Sequence, residues 1–130
     1  RQIEEVLRSQ GVELIKVALT GYRLHIDGLF VMIAKDLALA NITLLPFWFL
    51  EKLKEMKIHL VEIHHEDDSA VINCLAVAPG RVIMPEGVSG HTMDRLALHG
   101  VEVITIPYDK VISGGGGLHC STAPLIRDEV

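Results

Sequence analysis

The chain repeats one pattern, an amphipathic helix followed by a short break and a β-rich run, and this repeat limits its fold more than any other feature. The three copies lie at residues 2–15, 46–63 and 89–104. Their β-rich runs begin at Val12, Ile58 and Val101, so the spacings between copies are 46 and 43 residues. Apolar residues recur in each helix at the three- and four-residue intervals of one helix face. A repeat of this length indicates a fold built from stacked supersecondary units.

Two hairpin-like pairs of apolar runs complete the repeated unit. They comprise residues 29–34 and 37–40, which meet at Lys35-Asp36, and residues 74–78 and 82–84, which meet at Pro79-Gly80. The two turns are 44 residues apart, which matches the spacing of the helices. The sequence therefore predicts an α/β fold of β-β-α-β units, with two full copies and half a copy at each end. Because each unit buries its apolar face against a neighbour, the half-copies predict that an N-terminal portion is missing.

Local signals support the predicted ends of the helices. Gly11 and Gly100 follow the first and third helices, where glycine can adopt the left-handed conformation of a C-terminal cap. Pro46 opens the second helix, and proline suits the first turn because that turn needs no backbone N–H donor.

The composition favours one globular domain that binds neither nucleic acid nor a membrane. The 130 residues are 49% hydrophobic but only 5% aromatic, so we expect an aliphatic core. No apolar run approaches the roughly 18 residues needed to cross a bilayer. A formal net charge of −5 argues against nucleic acid and is compatible with a small cationic substrate. Two cysteines do not make a disulfide framework, so we expect a reducing, cytoplasmic location.

A glycine-rich loop carries one of the two cysteines. Gly114 to Gly117 are followed by Leu118, His119 and Cys120, and then by two hydroxyl residues. Glycines let the backbone approach a ligand closely, and a thiol at the rim of such a loop suggests a nucleophile. The alternative is an ordinary glycine turn whose cysteine is a small buried hydrophobe.

The triplet His25-Ile26-Asp27 is a second candidate feature. If these residues form a strand, the imidazole and the carboxylate point to the same face, about 7 Å apart along the backbone. This arrangement suits a proton shuttle and a cation anchor that act on one substrate. The alternative is that Asp27-Gly28 is simply a turn, with His25 on a solvated edge.

Two further segments favour a structural interpretation. The run from His64 to Asp68 contains two histidines and three acidic residues, but adjacent side chains diverge whereas metal ligands must converge. We expect a solvated loop there, and the sequence predicts no metal and no other cofactor. Cys74 lies in an apolar run and is expected to be an inert part of the core.

Four motifs, taken in order, resemble a known family. They are His25-Ile26-Asp27, the stretch from Asn73 to Gly80, the helix-to-strand segment from His99 to Ile104, and Gly114 to Cys120 followed by Pro124-Leu125-Ile126-Arg127. Their order and spacing resemble the C-terminal part of the guanidino-group-modifying enzymes: arginine deiminase and its amidinotransferase and dimethylargininase relatives. The resemblance covers nearly the whole chain. It implies a pentein-like α/β-propeller, here an incomplete ring, with residues 1–130 as the C-terminal part of a single catalytic domain.

The resemblance also implies roles for individual residues. Cys120 matches the nucleophile that forms a covalent thiouronium intermediate, and His25 matches the general acid and base. Asp27 matches a carboxylate that binds the guanidinium group, and the glycines of the loop line the substrate. Those glycines are Gly115, Gly116 and Gly117. Two further acidic residues of the family's site have no match and would precede Arg1.

The implied activity is hydrolytic deimination of arginine or an arginine derivative, with release of ammonia or an amine. Gly115 stands where arginine deiminases carry an arginine that binds the α-carboxylate, which puts free arginine in doubt as the substrate. Two alternatives remain open. One is amidino transfer through the same cysteine and histidine. The other is a non-catalytic pentein-fold binding protein, which the presence of His25, Asp27 and Cys120 disfavours. We also expect association with the missing N-terminal part or as a homo-oligomer, because an open ring exposes apolar faces.

Overall fold

A computed structural model of the chain describes residues 2–19 and 24–125. Within them, the predicted β-β-α-β unit occurs twice in full. The helices are α1 (Gln2–Ser9), α2 (Phe47–Glu55), α3 (Gly90–Leu98) and α4 (Asp109–Ile112). The strands are β1 (Phe30–Ala34), β2 (Leu37–Ala40), β3 (His59–Glu62), β4 (Leu75–Ala78), β5 (Arg81–Pro85) and β6 (Glu102–Ile106). Short 3-10 helices cover Ile26–Gly28, Ile42–Leu44 and Ser69–Ile72.

Each unit forms its own three-stranded sheet with the same topology. β1 pairs with β2 in an antiparallel hairpin, and β3 then adds in parallel to β2. The second sheet repeats this arrangement with β4, β5 and β6. The first strand of each unit therefore starts at the sheet edge where the other two strands end. Loops that enter the first strand and loops that leave the third strand consequently share one edge.

The helices begin and end where local chemistry predicts. Pro46 has a φ of −61° and immediately precedes α2. Ser89 caps α3, because its hydroxyl accepts a hydrogen bond from the Thr92 backbone N–H at 3.2 Å. Gly11 and Gly100 both have a φ of +72°, which confirms the predicted left-handed caps.

The core is aliphatic, as the composition predicts. A central cluster joins both sheets with α3, and its most deeply buried members come from every part of the repeat. They include Ile33, Leu39, Ile72, Met84 and Leu96. A second cluster packs α2 against the first sheet around Phe49 and Leu53. Burying each such side chain contributes about 1.5–3 kcal/mol, so the contact between the two units holds the site-bearing loops in register.

One predicted strand is wrong. Residues 12–15, which follow α1, belong to no sheet in the described part of the chain. In both full units the strand after the helix pairs in parallel with the middle strand of its own unit. Among the described residues no strand lies beside this run, so it lacks the pairing that its counterparts have. Among the described residues, no helix is both long enough and apolar enough to span a membrane.

Candidate active site

Three loops meet at the shared sheet edge. The first contains the 3-10 helix Ile26–Gly28 and leads into β1, and the second contains the 3-10 helix Ser69–Ile72 and leads into β4. These two 3-10 helices contact each other, as do β1 and β4. The third is the glycine-rich loop, which follows α4. The packing of one unit on the other thus gathers residues that are nearly one hundred positions apart.

Cys120 lies exposed in a turn at the end of the glycine-rich loop. Its Sγ lies 3.2 Å from Asp27 Oδ2 and 3.1 Å from Asn73 Nδ2. The alternative of a small buried hydrophobe is therefore wrong for this cysteine. Cys74 is the contrast, because it is 0% exposed and burial raises its pKa to about 12. Since the thiolate is the reactive form, Cys74 is inert and Cys120 is the accessible thiol.

Asp27 presents one carboxylate oxygen to two residues of the glycine-rich loop. Its Oδ2 contacts the Cys120 thiol and also lies 3.1 Å from His119 Nδ1. Partial burial raises the pKa of Asp27, but hydrogen bonds from Cys120, His119 and Asn73 lower it by more. The pKa of Asp27 is therefore below its ordinary value, so the site holds a carboxylate anion at neutral pH.

His25 does not share a strand face with Asp27, so the predicted strand is wrong here. Its backbone is extended, with φ −126° and ψ 149°, but the chain turns into a 3-10 helix at the next residue. The Leu29 N–H closes that turn on the Ile26 carbonyl at 2.8 Å. Alternation of side chains applies only to extended backbone, and Asp27-Gly28 is a turn-forming pair. The His25 side chain is exposed and makes no hydrogen bond within the described residues.

Two polar residues of the site were not predicted. His119 approaches Asp27 through Nδ1, and its backbone N–H donates to the Asn73 carbonyl at 3.1 Å. Asn73 is only 5% exposed and its side chain reaches both Asp27 and Cys120. The sequence offered one signal for Asn73, an amide between two apolar residues, Ile72 and Cys74. A buried amide needs hydrogen-bond partners, so an amide in an apolar run indicates a residue with a specific contact.

The three predicted substrate-lining glycines differ in the space around them and in their backbone conformation. Gly115 has a φ of +96°, a conformation that a side chain rarely adopts, and a Cβ there would meet nothing within 4 Å. Gly117 is buried against Asn73, and a Cβ at this position would lie 2.6 Å from the Asn73 Cβ. Glycine at Gly117 therefore lets the loop approach Asn73 closely. A Cβ on Gly116 would meet only the Cys120 Cβ, at 3.8 Å, which is ordinary contact.

The acidic run after β3 is not simply a solvated loop, which corrects that expectation. Asp67 accepts hydrogen bonds from the Ser89 backbone N–H at 2.7 Å, the Ser89 hydroxyl at 2.8 Å and the Thr92 hydroxyl at 2.5 Å. Partial burial raises the pKa of Asp67, but these bonds lower it by more. Asp67 therefore ties the loop to the start of α3.

The two histidines of the same run lie beside α3. The His64 ring lies 4.2 Å from the His65 ring and 4.4 Å from the His91 ring, measured between centroids. The run borders a cavity of about 360 Å³ together with Glu62 and Arg95. Within residues 2–19 and 24–125, no group of three or more histidine, cysteine or acidic side chains could hold a metal ion.

Comparison with known sequences identifies relatives of the chain. The arginine deiminase family profile matches residues 48–127. Arginine deiminase of Mycoplasma capricolum is 41% identical over 58 residues, an alignment that covers 45% of this chain and 14% of that enzyme.

Comparison with solved structures confirms the pentein-like repeat of β-β-α-β units. An amidinotransferase of saxitoxin biosynthesis from Microseira wollei has a TM-score of 0.77 at 19% identity, over 98% of this chain and 39% of that one. Dimethylarginine dimethylaminohydrolase from Pseudomonas aeruginosa, complexed with citrulline, has a TM-score of 0.70 at 24% identity, over 92% of this chain and 44% of that one. The chain thus spans less than half the length of these enzymes.

Proposed function

Because the chain belongs to the arginine deiminase family, we propose that it carries the nucleophile of a site that hydrolyses the guanidinium group of arginine or an arginine derivative. The observation that supports this most directly is the exposed Cys120 thiol, 3.2 Å from the Asp27 carboxylate. A nucleophile beside an anion suits a planar cation better than a neutral or anionic substrate. The acidic partners that the family adds to this site are proposed to lie outside this chain.

Asp27 is proposed to bind the guanidinium group. A carboxylate accepts two parallel N–H bonds from a guanidinium, which fixes its plane. The lowered pKa of Asp27 keeps this acceptor charged at neutral pH. Because the carboxylate oxygen contacts Sγ, a guanidinium bound there would bring its central carbon next to the sulfur. The cation would also offset the negative charge that develops on the thiol as it ionises.

The proposed reaction has two covalent steps. The Cys120 thiol gives its proton to His25 and its sulfur attacks the guanidinium carbon. The C–N bond then breaks as His25 passes that proton to the departing nitrogen, which leaves as ammonia or an amine. His25 then takes a proton from water, and the resulting hydroxide attacks the thiouronium carbon and breaks the C–S bond. The products are a ureido compound and the free thiol, so one water is consumed per guanidinium. A histidine can perform both proton transfers because an imidazole can donate a proton in one step and accept one in the next.

Amidino transfer is a second candidate, because it would use the same nucleophile and intermediate with an amine in place of water. His119 directly before the cysteine is compatible with it, since this residue resembles the loops of both the amidinotransferases and the agmatine-type enzymes. The two candidates differ in the second acceptor alone. A purely binding role gains no support from a thiol that is exposed and hydrogen-bonded on two sides.

The deciding experiment measures product release from guanidino compounds by the full-length protein. Ammonia or amine release from arginine, agmatine and methylated arginines is expected, and Cys120→Ala should abolish it. Cys74→Ala is the matched control and should retain activity, because that thiol is buried in the core. Turnover in water alone would exclude obligatory transfer, and turnover that depends on an added amine would exclude hydrolysis. Release that survives Cys120→Ala would overturn the assignment of the nucleophile.

A further inference from the structure

We propose that Asn73 is a positioning residue that holds the Cys120 sulfur beside Asp27 and favours its ionised form. This inference rests on the proposed function, since it concerns the nucleophile of that reaction. Asn73 is 5% exposed and lies between two residues that are 0% exposed, Ile72 and Cys74. Its side chain points toward the glycine-rich loop, where it contacts the Cys120 backbone and sulfur.

Asn73 binds the backbone on both sides of the nucleophile's peptide bond. Its Oδ1 accepts the Cys120 N–H at 3.0 Å, and its own carbonyl accepts the His119 N–H at 3.1 Å. Two consecutive N–H groups of the glycine-rich loop are thus bound to one residue of the opposite loop. Because Sγ is attached to this backbone through Cβ alone, fixing the backbone leaves only rotation about the Cα–Cβ bond to set the position of the sulfur.

The amide nitrogen of Asn73 acts on the sulfur itself. Nδ2 donates to Cys120 Sγ at 3.1 Å and to the Asp27 carbonyl at 3.3 Å, so both of its hydrogens have a partner. The thiol can donate to the Asp27 carboxylate only while it is protonated. Once the thiol ionises, the carboxylate repels it, whereas the amide hydrogen still stabilises the negative sulfur. Asp27 therefore disfavours ionisation of the Cys120 thiol, and Asn73 favours it.

The space around Asn73 excludes most other residues. Gly117 packs so closely on its side chain that a longer residue would displace the loop. Alanine would leave the Cys120 N–H and the Asp27 carbonyl without partners, and aspartate would keep the shape but lose the donor. Only asparagine combines an acceptor for the backbone with a donor for the sulfur at this size.

The test measures the rate at which iodoacetamide alkylates Cys120 as pH is varied, with the site identified by mass spectrometry of the full-length protein. Asn73→Asp removes the donor to Sγ and retains an acceptor for the backbone but adds a negative charge beside the sulfur, whereas Asn73→Ala removes the donor without adding charge. Asp27 and His119, the titratable groups around the sulfur, are unchanged in both. We expect the midpoint of the alkylation profile to move to higher pH, with alkylation at pH 7 slower by about tenfold. In turnover, kcat should fall with little change in KM.

Asn41→Asp is the matched control, since Asn41 is an asparagine at the same sheet edge whose side chain bonds to Thr43 instead. It should leave the alkylation profile unchanged. A purely structural role for Asn73 would lower the melting temperature without moving the midpoint. An unmoved midpoint in either Asn73 variant that retains its melting temperature overturns the inference. Because alkylation needs no substrate, this outcome is distinct from failure of the proposed reaction, which Cys120→Ala reports.

Discussion

Asp27 and His119 are 92 residues apart in the sequence, yet Oδ2 of the carboxylate lies 3.1 Å from Nδ1 of the imidazole. The same oxygen also contacts the Cys120 thiol. One carboxylate oxygen thus links the first β-β-α-β unit to the glycine-rich loop that follows the second. The contact lowers the pKa of Asp27 and orients its carboxylate toward the Cys120 thiol.

Asp27→Asn should lower kcat/KM for guanidino substrates by about a hundredfold, because the amide keeps the shape but loses the charge that binds the cation. The measurement is steady-state release of ammonia or amine. Asp36→Asn is the control, since Asp36 lies exposed in the hairpin turn between β1 and β2 and should leave kcat/KM unchanged. Equal activity of Asp27→Asn and the original protein would contradict the role of Asp27 as the anchor.

Gly117→Ala should destabilise the protein by about 1–3 kcal/mol and reduce activity, because the added Cβ would overlap the Asn73 side chain. Urea unfolding and turnover measure the two effects. Gly90→Ala is the matched control, since a Cβ there meets nothing within 4 Å and the residue opens α3. It should be neutral or stabilising, by up to about 1 kcal/mol. If Gly117→Ala left both stability and activity unchanged, the loop would have to approach Asn73 less closely than the structure shows.

Asp67→Asn should remove a pH-dependent part of the stability. A carboxylate whose pKa is lowered by folding stabilises the protein above its unfolded value near 3.8. That contribution is lost as the pH falls through the lower value of the folded state. The difference in unfolding free energy between the original protein and Asp67→Asn should therefore be largest at neutral pH and shrink in acid. Asp94→Asn, on α3 itself, is the comparison variant. A difference that is constant from pH 7 to pH 3 would contradict this linkage.

Substrates without an α-carboxylate should be turned over at least as well as arginine. Gly115 offers no side chain to bind that carboxylate, at the position where the resemblance to arginine deiminases implies an arginine. The measurement compares kcat/KM for agmatine and for arginine. A strong preference for arginine would show that another residue binds the carboxylate.

The fold could be predicted from the sequence to the extent that each element depends on neighbouring residues. Apolar periodicity and the turns at Lys35-Asp36 and Pro79-Gly80 predicted the two full units, because each hairpin lies close in sequence to its following helix, within residues 30–55 and 75–98. The strand expected at residues 12–15 does not form, because a strand depends on residues outside its own neighbourhood. A strand needs a partner, and periodicity alone does not supply one.

The candidate site was predicted only in part. The residues around Cys120 and Asp27 stood out because thiols and carboxylates beside glycines are chemically conspicuous. Asn73 and His119 did not, since an amide or an imidazole acquires a role only from what it touches. The expected geometry of His25 was wrong because the Asp27-Gly28 turn overrides strand alternation at that point.

The sequence by itself determined the repeated β-β-α-β unit, the aliphatic core and the position of a cysteine at the end of a glycine-rich loop. These depend on local periodicity and on residue chemistry. Only the tertiary structure decided that the Cys120 sulfur lies between the Asp27 carboxylate and the Asn73 amide. Contacts across 47 and 93 residues arise from the packing of one unit against the other, and the shape of that interface is a collective property of the buried side chains.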